Sequence, residues 1–168
     1  MAAAAPKDLR ELYTADLRDL WSANDQMQRV VQAFAQRAAD EEVRQLFEHS
    51  VPRIAQHTQA LRELVAAGAG EASPCAGMQG LVQEATDHAL ESDLPAVLRD
   101  LEMLAQYQRM SHYGIAGFGT VAAYADALGL QDQAQRLREI VADIYRGDDY
   151  ASQLAVSAQR AAAGAGGG

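Results

Sequence analysis

Apolar residues recur along this chain at spacings of three and four, the pattern of a helix with one buried stripe. The first stripe is Leu9, Leu12, Tyr13, Leu17, Leu20, Trp21, Met27, Val31 and Phe34, and it predicts a helix from about Pro6 to Ala38. Pro6 suits the first turn, where its missing N–H costs nothing. After the break at "AADEE", Val43, Phe47, Ile54, Leu61, Leu64 and Val65 predict a second helix from about Glu41 to Ala67. Pro52 lies inside it and is expected to kink it, because an interior proline removes one backbone hydrogen bond.

"AAGAGEASPCAGM" is the clearest interruption. A short helix is expected from about Met78 to Leu90. Ser92 or Asp93 can then cap a third long helix with Pro95 in its first turn, running to Leu128 and stopping at Gly129. A fourth follows from about Asp132 to Arg160. Strand signals are nearly absent. Four long helices, each with one apolar stripe, bury those stripes best against one another. The expected fold is therefore all-α: a four-helix bundle with a short extra helix in the crossover between helices 2 and 3, the arrangement of ferritin-like folds. Residues 1–163 read as a single domain and 164–168 as a flexible Gly/Ala tail.

One stretch conflicts with its helical setting. "RMSHYGIAGFGT" places Gly114, Gly117 and Gly119 in a helix interior, where each costs about 1 kcal/mol relative to alanine. Close approach of a neighbouring helix is the expected reason, with a π-bulge beside a site as the rival.

Charge and composition narrow the function. The net charge of −9, with 14 basic residues scattered among 23 acidic ones, argues against a nucleic-acid partner and leaves cation binding open. No apolar run approaches the length needed to cross a bilayer, so no membrane role is expected. "MAAAAPKD" lacks the layout of a secretory signal. The single cysteine, Cys75, excludes an internal disulfide, suits a reducing, cytoplasmic setting, and reads as a small apolar filler in a linker.

"DLRDLWSANDQM", "CAGMQGLVQEA", "RMSHYGIAGFGTVAAYADALGL" and "VADIYRGDDYASQLA" come in the order and spacing of a known family. Over about Leu9 to Ala155 the chain resembles the YciF-like group of bacterial, stress-associated, ferritin-like proteins. His112-Tyr113, Ile115-Ala116, Gly119-Thr120 and the Cys75/Met78/Gly80-Leu81 pattern carry the resemblance most specifically. It implies a ferritin-like bundle, pairing as a homodimer, and a pair of metal ions inside.

The ligands such a site demands are missing. Two hard cations need several carboxylates from facing helices, typically with Glu-x-x-His motifs. The residues three before His49, His57, His88 and His112 are Leu46, Ile54, Ala85 and Arg109. Where relatives carry Ala-Glu-Lys-Gln, this chain has Ala23-Asn24-Asp25-Gln26. Their Glu-Glu-Thr corresponds to the region of Ala55-Gln56-His57-Thr58, and their Met-Glu-Gly to Met78-Gln79-Gly80. Val-Glu-His-Tyr-Glu becomes Met110-Ser111-His112-Tyr113-Gly114, and a glutamate-rich last helix becomes Ala142-Asp143-Ile144-Tyr145-Arg146-Gly147-Asp148. Neutral Asn, Gln and Ser oxygens cannot offset two divalent charges in a low-dielectric core.

Helical spacing aims a few polar residues inward: Asn24, a heptad from Leu17 and Val31; His57, between Ile54 and Leu61; His112, between Gln108 and Ile115; and Asp148, between Ile144 and Ala151. Gln108, Ser111 and Tyr145 are expected beside them. Two histidines and a carboxylate can hold one transition metal, so His57, His112, Asp148 and Asn24 are the residual metal candidates. The plainer expectation is neutral histidines hydrogen-bonded to Asn24, Gln108 or water. His49 and His88 read as surface residues, and Trp21, Phe118, Met27, Met103 and Met110 as packing. No phosphate loop, Cys-x-x-Cys or sequence-visible triad occurs, and no catalytic or cofactor-binding residue is assigned. The favoured reading is a non-catalytic, ferritin-like structural or stress-associated protein acting through self-association or a protein partner. The alternatives are a metal-binding protein using iron, manganese or zinc for redox or storage, and a bundle whose interior has become a small-molecule or protein-binding pocket.

Overall fold

The structure, a computed structural model, describes residues 5–66 and 70–165. Four long helices dominate: α1 (Leu9–Arg37), α2 (Glu41–Ala66), α4 (Ala96–Ala127) and α5 (Gln131–Ala165). A short α3 (Ala76–Ala85) continues through one π-helical stretch, Thr86–Leu90, in the crossover. There is no strand among the described residues. The expected all-α bundle with a crossover helix is the observed architecture.

Helices α1 and α2 form one antiparallel hairpin and α4 and α5 another, with α1 against α4 and α2 against α5. Asp100 fixes their relation. From the second turn of α4 its Oδ1 accepts the Ala39 N–H at 3.0 Å and its Oδ2 the Asp40 N–H at 2.8 Å, so α4 begins beside the α1–α2 turn. At the opposite end the Tyr13 hydroxyl donates to Gln133 at 2.8 Å, placing the starts of α1 and α5 together. The crossover therefore travels the length of the bundle, with α3 packed on α1 and α4.

Helix ends differ from expectation by a few residues. Asp8, not Pro6, sets the start of α1: its carboxylate caps the Glu11 N–H at 2.8 Å. Pro95, expected inside the first turn of α4, is its cap, and neither Ser92 nor Asp93 serves. Helix α3 begins at Ala76, two residues before the expected start, and Cys75 caps it through its sulfur and the Met78 N–H. Gly129 ends the α4 region with φ of +73°, a conformation that favours glycine. Helix α2 runs through Pro52 from Glu41 to Ala66, and Ala67 lies outside the described residues. Helix α5 runs to Ala165, past the expected Arg160 and two residues into the segment assigned to a tail; residues 166–168 are outside the described part.

Two apolar clusters fill the bundle. One holds Phe34, Phe47, Met103, Leu104 and Met110, with Phe47 between the rings of Phe34 (5.3 Å) and Tyr107 (5.7 Å). The other holds Leu17, Leu20, Leu61, Phe118, Val121 and Leu137. Polar side chains interrupt the stripes where the two clusters meet. Only one of the three α4 glycines answers to close packing: a Cβ on Gly117 would lie 2.4 Å from Leu20 Cδ2, whereas Gly114 would make an ordinary 3.6 Å contact with Ile144 and Gly119 none within 4 Å.

Candidate functional site

All four long helices contribute to the polar layer between the clusters. Helix α1 brings Asn24; α2 brings Ser50, Arg53 and His57; α4 brings Tyr107, Ser111 and Gly114; α5 brings Asp143 and Gly147. The spacing explains the convergence, since Ser50–His57 and Tyr107–Ser111–Gly114 are separations of seven, four and three on their own helices. Together with Met27, Ile54, Met110 and Ile144 they line a cavity of about 40 Å³.

Asp143 is the one carboxylate on its wall, and it is heavily engaged. Arg53 grips it bidentately, Nε to Oδ2 at 3.1 Å and a second guanidinium nitrogen to Oδ1. Arg146, one turn along α5, donates to Oδ1 at 2.9 Å. His57 donates from Nε2 to Oδ2 at 2.8 Å. Burial, then repulsion from Arg53, pushes the His57 pKa down to about 4, so the imidazole is neutral near neutral pH. Its ring edge also meets Phe118, centroids 6.1 Å apart.

Hydroxyls form the opposite side. Ser50 donates to the Leu46 carbonyl at 2.7 Å, and its Oγ lies 3.0 Å from the Tyr107 hydroxyl. Burial raises the Tyr107 pKa, keeping the phenol protonated. Asn24 is only 6% exposed.

A second histidine–carboxylate pair stands apart. Asp148 is buried, accepting from His112 Nε2 at 3.0 Å and from Gln108 at 3.1 Å, while Gln108 also donates to Ser152 at 2.8 Å. The inward placement of His112 needs correction: its side chain is 59% exposed and reaches Asp148 from the solvent side of the α4–α5 seam. Ser111 and Gly114, one and two residues away around the helix, take the interior-facing positions instead. Tyr145, expected beside the site, is exposed as well. Thus Asn24 and His57 line the cavity, whereas Asp148 and His112 pair away from its wall and the four candidates do not converge. Among the described residues no three His, Cys, Asp or Glu side chains gather as metal ligands do.

Arg53, Asp143, Ser50 and Tyr107 were absent from the expected set. Asp143 lies three after Ile140 and four before Gly147, the reverse of the four-and-three spacing that pointed to Asp148, so its inward edge was available in the pattern. Arg53 carried no such signal, because an arginine on a helix flank ordinarily reads as solvated. His49 and His88 are on the surface, and Phe118, Met27, Met103 and Met110 are core, as expected. Trp21 is only partly buried, with the Arg62 guanidinium 5.2 Å above its ring. Cys75 is more than filler: besides capping α3 it lies 3.1 Å from the Tyr113 hydroxyl, and burial raises its pKa.

The profile of a family described as a domain of unknown function, DUF892, matches residues 8–163. Protein YciF of Escherichia coli (strain K12) is 26% identical over 154 residues, covering 90% of this chain and 92% of that protein. The crystal structure of the E. coli stress protein YciF superposes with a TM-score of 0.86 at 25% identity, over 92% of this chain and 99% of that one. YcfI from Rhodopseudomonas palustris, described as a proposed structural protein, superposes with a TM-score of 0.83 at 21% identity, over 90% and 98% of the two chains. No described helix is long and apolar enough to cross a membrane.

Proposed function

The chain belongs to the DUF892 family, and within it we propose a non-catalytic, structural role in which the bundle interior is held by its own ion pair and requires no metal. The observation that carries this reading is the state of Asp143. Its two oxygens already accept from the cations Arg53 and Arg146 and from neutral His57, so the cavity's one carboxylate is spent on protein donors. Two divalent ions need several free carboxylate oxygens, and a guanidinium beside the cavity repels cations. The donor set present does not fit a binuclear centre. His112 and Asp148 do not supplement it, because they pair with each other at the α4–α5 seam.

The similarity to a stress protein and to a proposed structural protein supports a stress-associated, ferritin-like scaffold. Without chemistry of its own, such a protein acts by association, as a homodimer or with a protein partner in the cytoplasm. Exposed Val97 and Leu98 on α4 and Tyr145, Tyr150 and Val156 on α5 offer apolar contact surface.

Two measurements test the reading. Protein made in medium supplemented with iron, manganese and zinc is expected to carry no stoichiometric metal; metal that is bound in whole equivalents and disappears in His57→Ala overturns it. Sedimentation is expected to give a species of twice the chain mass, and a monomer at every concentration contradicts self-association.

A further inference from the structure

Gly114 on α4 and Gly147 on α5 both line the cavity of the polar layer; the missing side chain of Gly114 leaves room there, whereas a Cβ on Gly147 would lie 3.0 Å from the Tyr107 hydroxyl. At Gly114 a Cβ would only touch Ile144 at 3.6 Å, so the backbone does not close the space there. A volume of about 40 Å³ accommodates about three water molecules, or a solute of similar bulk.

The wall indicates what kind of solute. Asn24 is nine-tenths buried, lines the cavity, and among the described residues has no hydrogen-bond partner. Its carboxamide therefore offers a donor and an acceptor to whatever sits there. Buried Ser111 adds a hydroxyl, and the Ser50–Tyr107 pair, whose protons already go to the Leu46 carbonyl and to Ser50, adds oxygens that accept hydrogen bonds. Met27 and Met110 supply an apolar side that adapts its shape. The charged groups contribute nothing free, because Arg53 and Asp143 answer each other and His57 is neutral. An ion entering would lose its hydration without a counter-charge.

We propose that this cavity binds a small, uncharged, polar molecule of the primary-amide or short-alcohol class, held by the Asn24 carboxamide against the methionine side. The inference rests on the preceding reading that no metal fills the interior. Nothing in the ligand's recognition calls on His112 or Asp148.

Acetamide is the probe, with acetate and methylammonium as charged molecules of similar size. Titrated into the full chain and followed by amide NMR, acetamide is expected to give saturable, millimolar shifts at the Asn24 side chain, Gly114 and Gly147, with the ions about tenfold weaker or worse. Gly114→Leu, which fills the space, is expected to abolish them. Should that variant fail to fold, Gly114→Ala, which fits the backbone, is expected to weaken them, and Asn24→Leu to remove the preference for amide. Absence of saturation, equal response to acetate, or shifts that survive these substitutions overturns the proposal. Elemental analysis of the same sample separates the two readings: metal-free protein that ignores acetamide contradicts this inference alone, and stoichiometric metal contradicts the preceding one.

Discussion

Arg53 of α2 and Asp143 of α5 meet side-on, with both carboxylate oxygens taking hydrogen bonds from one guanidinium. The pair joins two helices from different hairpins at the level where the apolar clusters separate. Arg146 and His57 complete the ring of donors around the acid. Asp143 is the partly buried member, and Arg53 is 42% exposed. The pair is thus tied to solvent through the arginine, which limits its strength, while loss of that arginine strands the acid.

Arg53→Gln is accordingly expected to lower stability by about 1 to 2 kcal/mol, below the loss for a fully buried pair because the guanidinium is partly solvated. It also removes a repulsion from His57, so the imidazole pKa rises above about 4. Chemical denaturation and an NMR titration of the ring protons check the two effects together. An unchanged His57 titration contradicts the coupling.

His57 makes stability depend on pH in a stated direction. Its pKa falls from 6.5 in the unfolded chain to about 4 in the native protein, so between these values the unfolded chain binds more protons. The contribution is present above 6.5 and is lost as pH falls toward 4, up to about 3 kcal/mol. Asp143 does not rescue the charged ring, because two arginines already neutralise it. His57→Gln is expected to flatten this part of the acid loss in urea unfolding from pH 7 to 4, and equal slopes in both proteins contradict it.

Asp100 is the joint between the hairpins. Its two oxygens hold the Ala39 and Asp40 N–H groups, and the side chain is buried. Asp100→Ala is expected to cost about 3 kcal/mol by leaving two donors unpaired, and Asp100→Asn about half as much by keeping one acceptor. Thermal unfolding of the pair checks the order. Equal losses contradict a two-oxygen role.

The α4 glycines separate by packing. Gly119→Ala meets nothing and is expected to stabilise by about 1 kcal/mol through helix propensity. Gly117→Ala presses on buried Leu20, and its gain is expected to be cancelled by about 1 kcal/mol of repacking. Equal melting temperatures contradict the distinction.

The bundle was legible because its stripes are long: residues such as Leu17, Phe34, Leu61 and Phe118 repeat the helical period often enough to fix both elements and facing sides. Element ends were less so, since capping by Asp8 or Cys75 depends on one side-chain rotamer. Within the site, Asn24 and His57 follow from spacing, because deep positions on a stripe have only one direction to point. His112 does not, since it lies on the stripe's flank, where one residue of rotation decides between interior and solvent. Arg53 was hidden for the opposite reason: its long stem lets a partly exposed residue deliver charge to an inner carboxylate.

The proposed role requires that fixed protein cations, not metal ions, balance the interior. Crystals grown from metal-free protein and soaked in manganese and zinc salts, with anomalous data collected for each, test this most directly. A metal-free interior gives no anomalous peak among Asn24, His57, Tyr107 and Asp143, and an intact Arg53–Asp143 pair. One or two strong peaks there, with Arg53 swung away and Asp143 at ligand distance, contradict it.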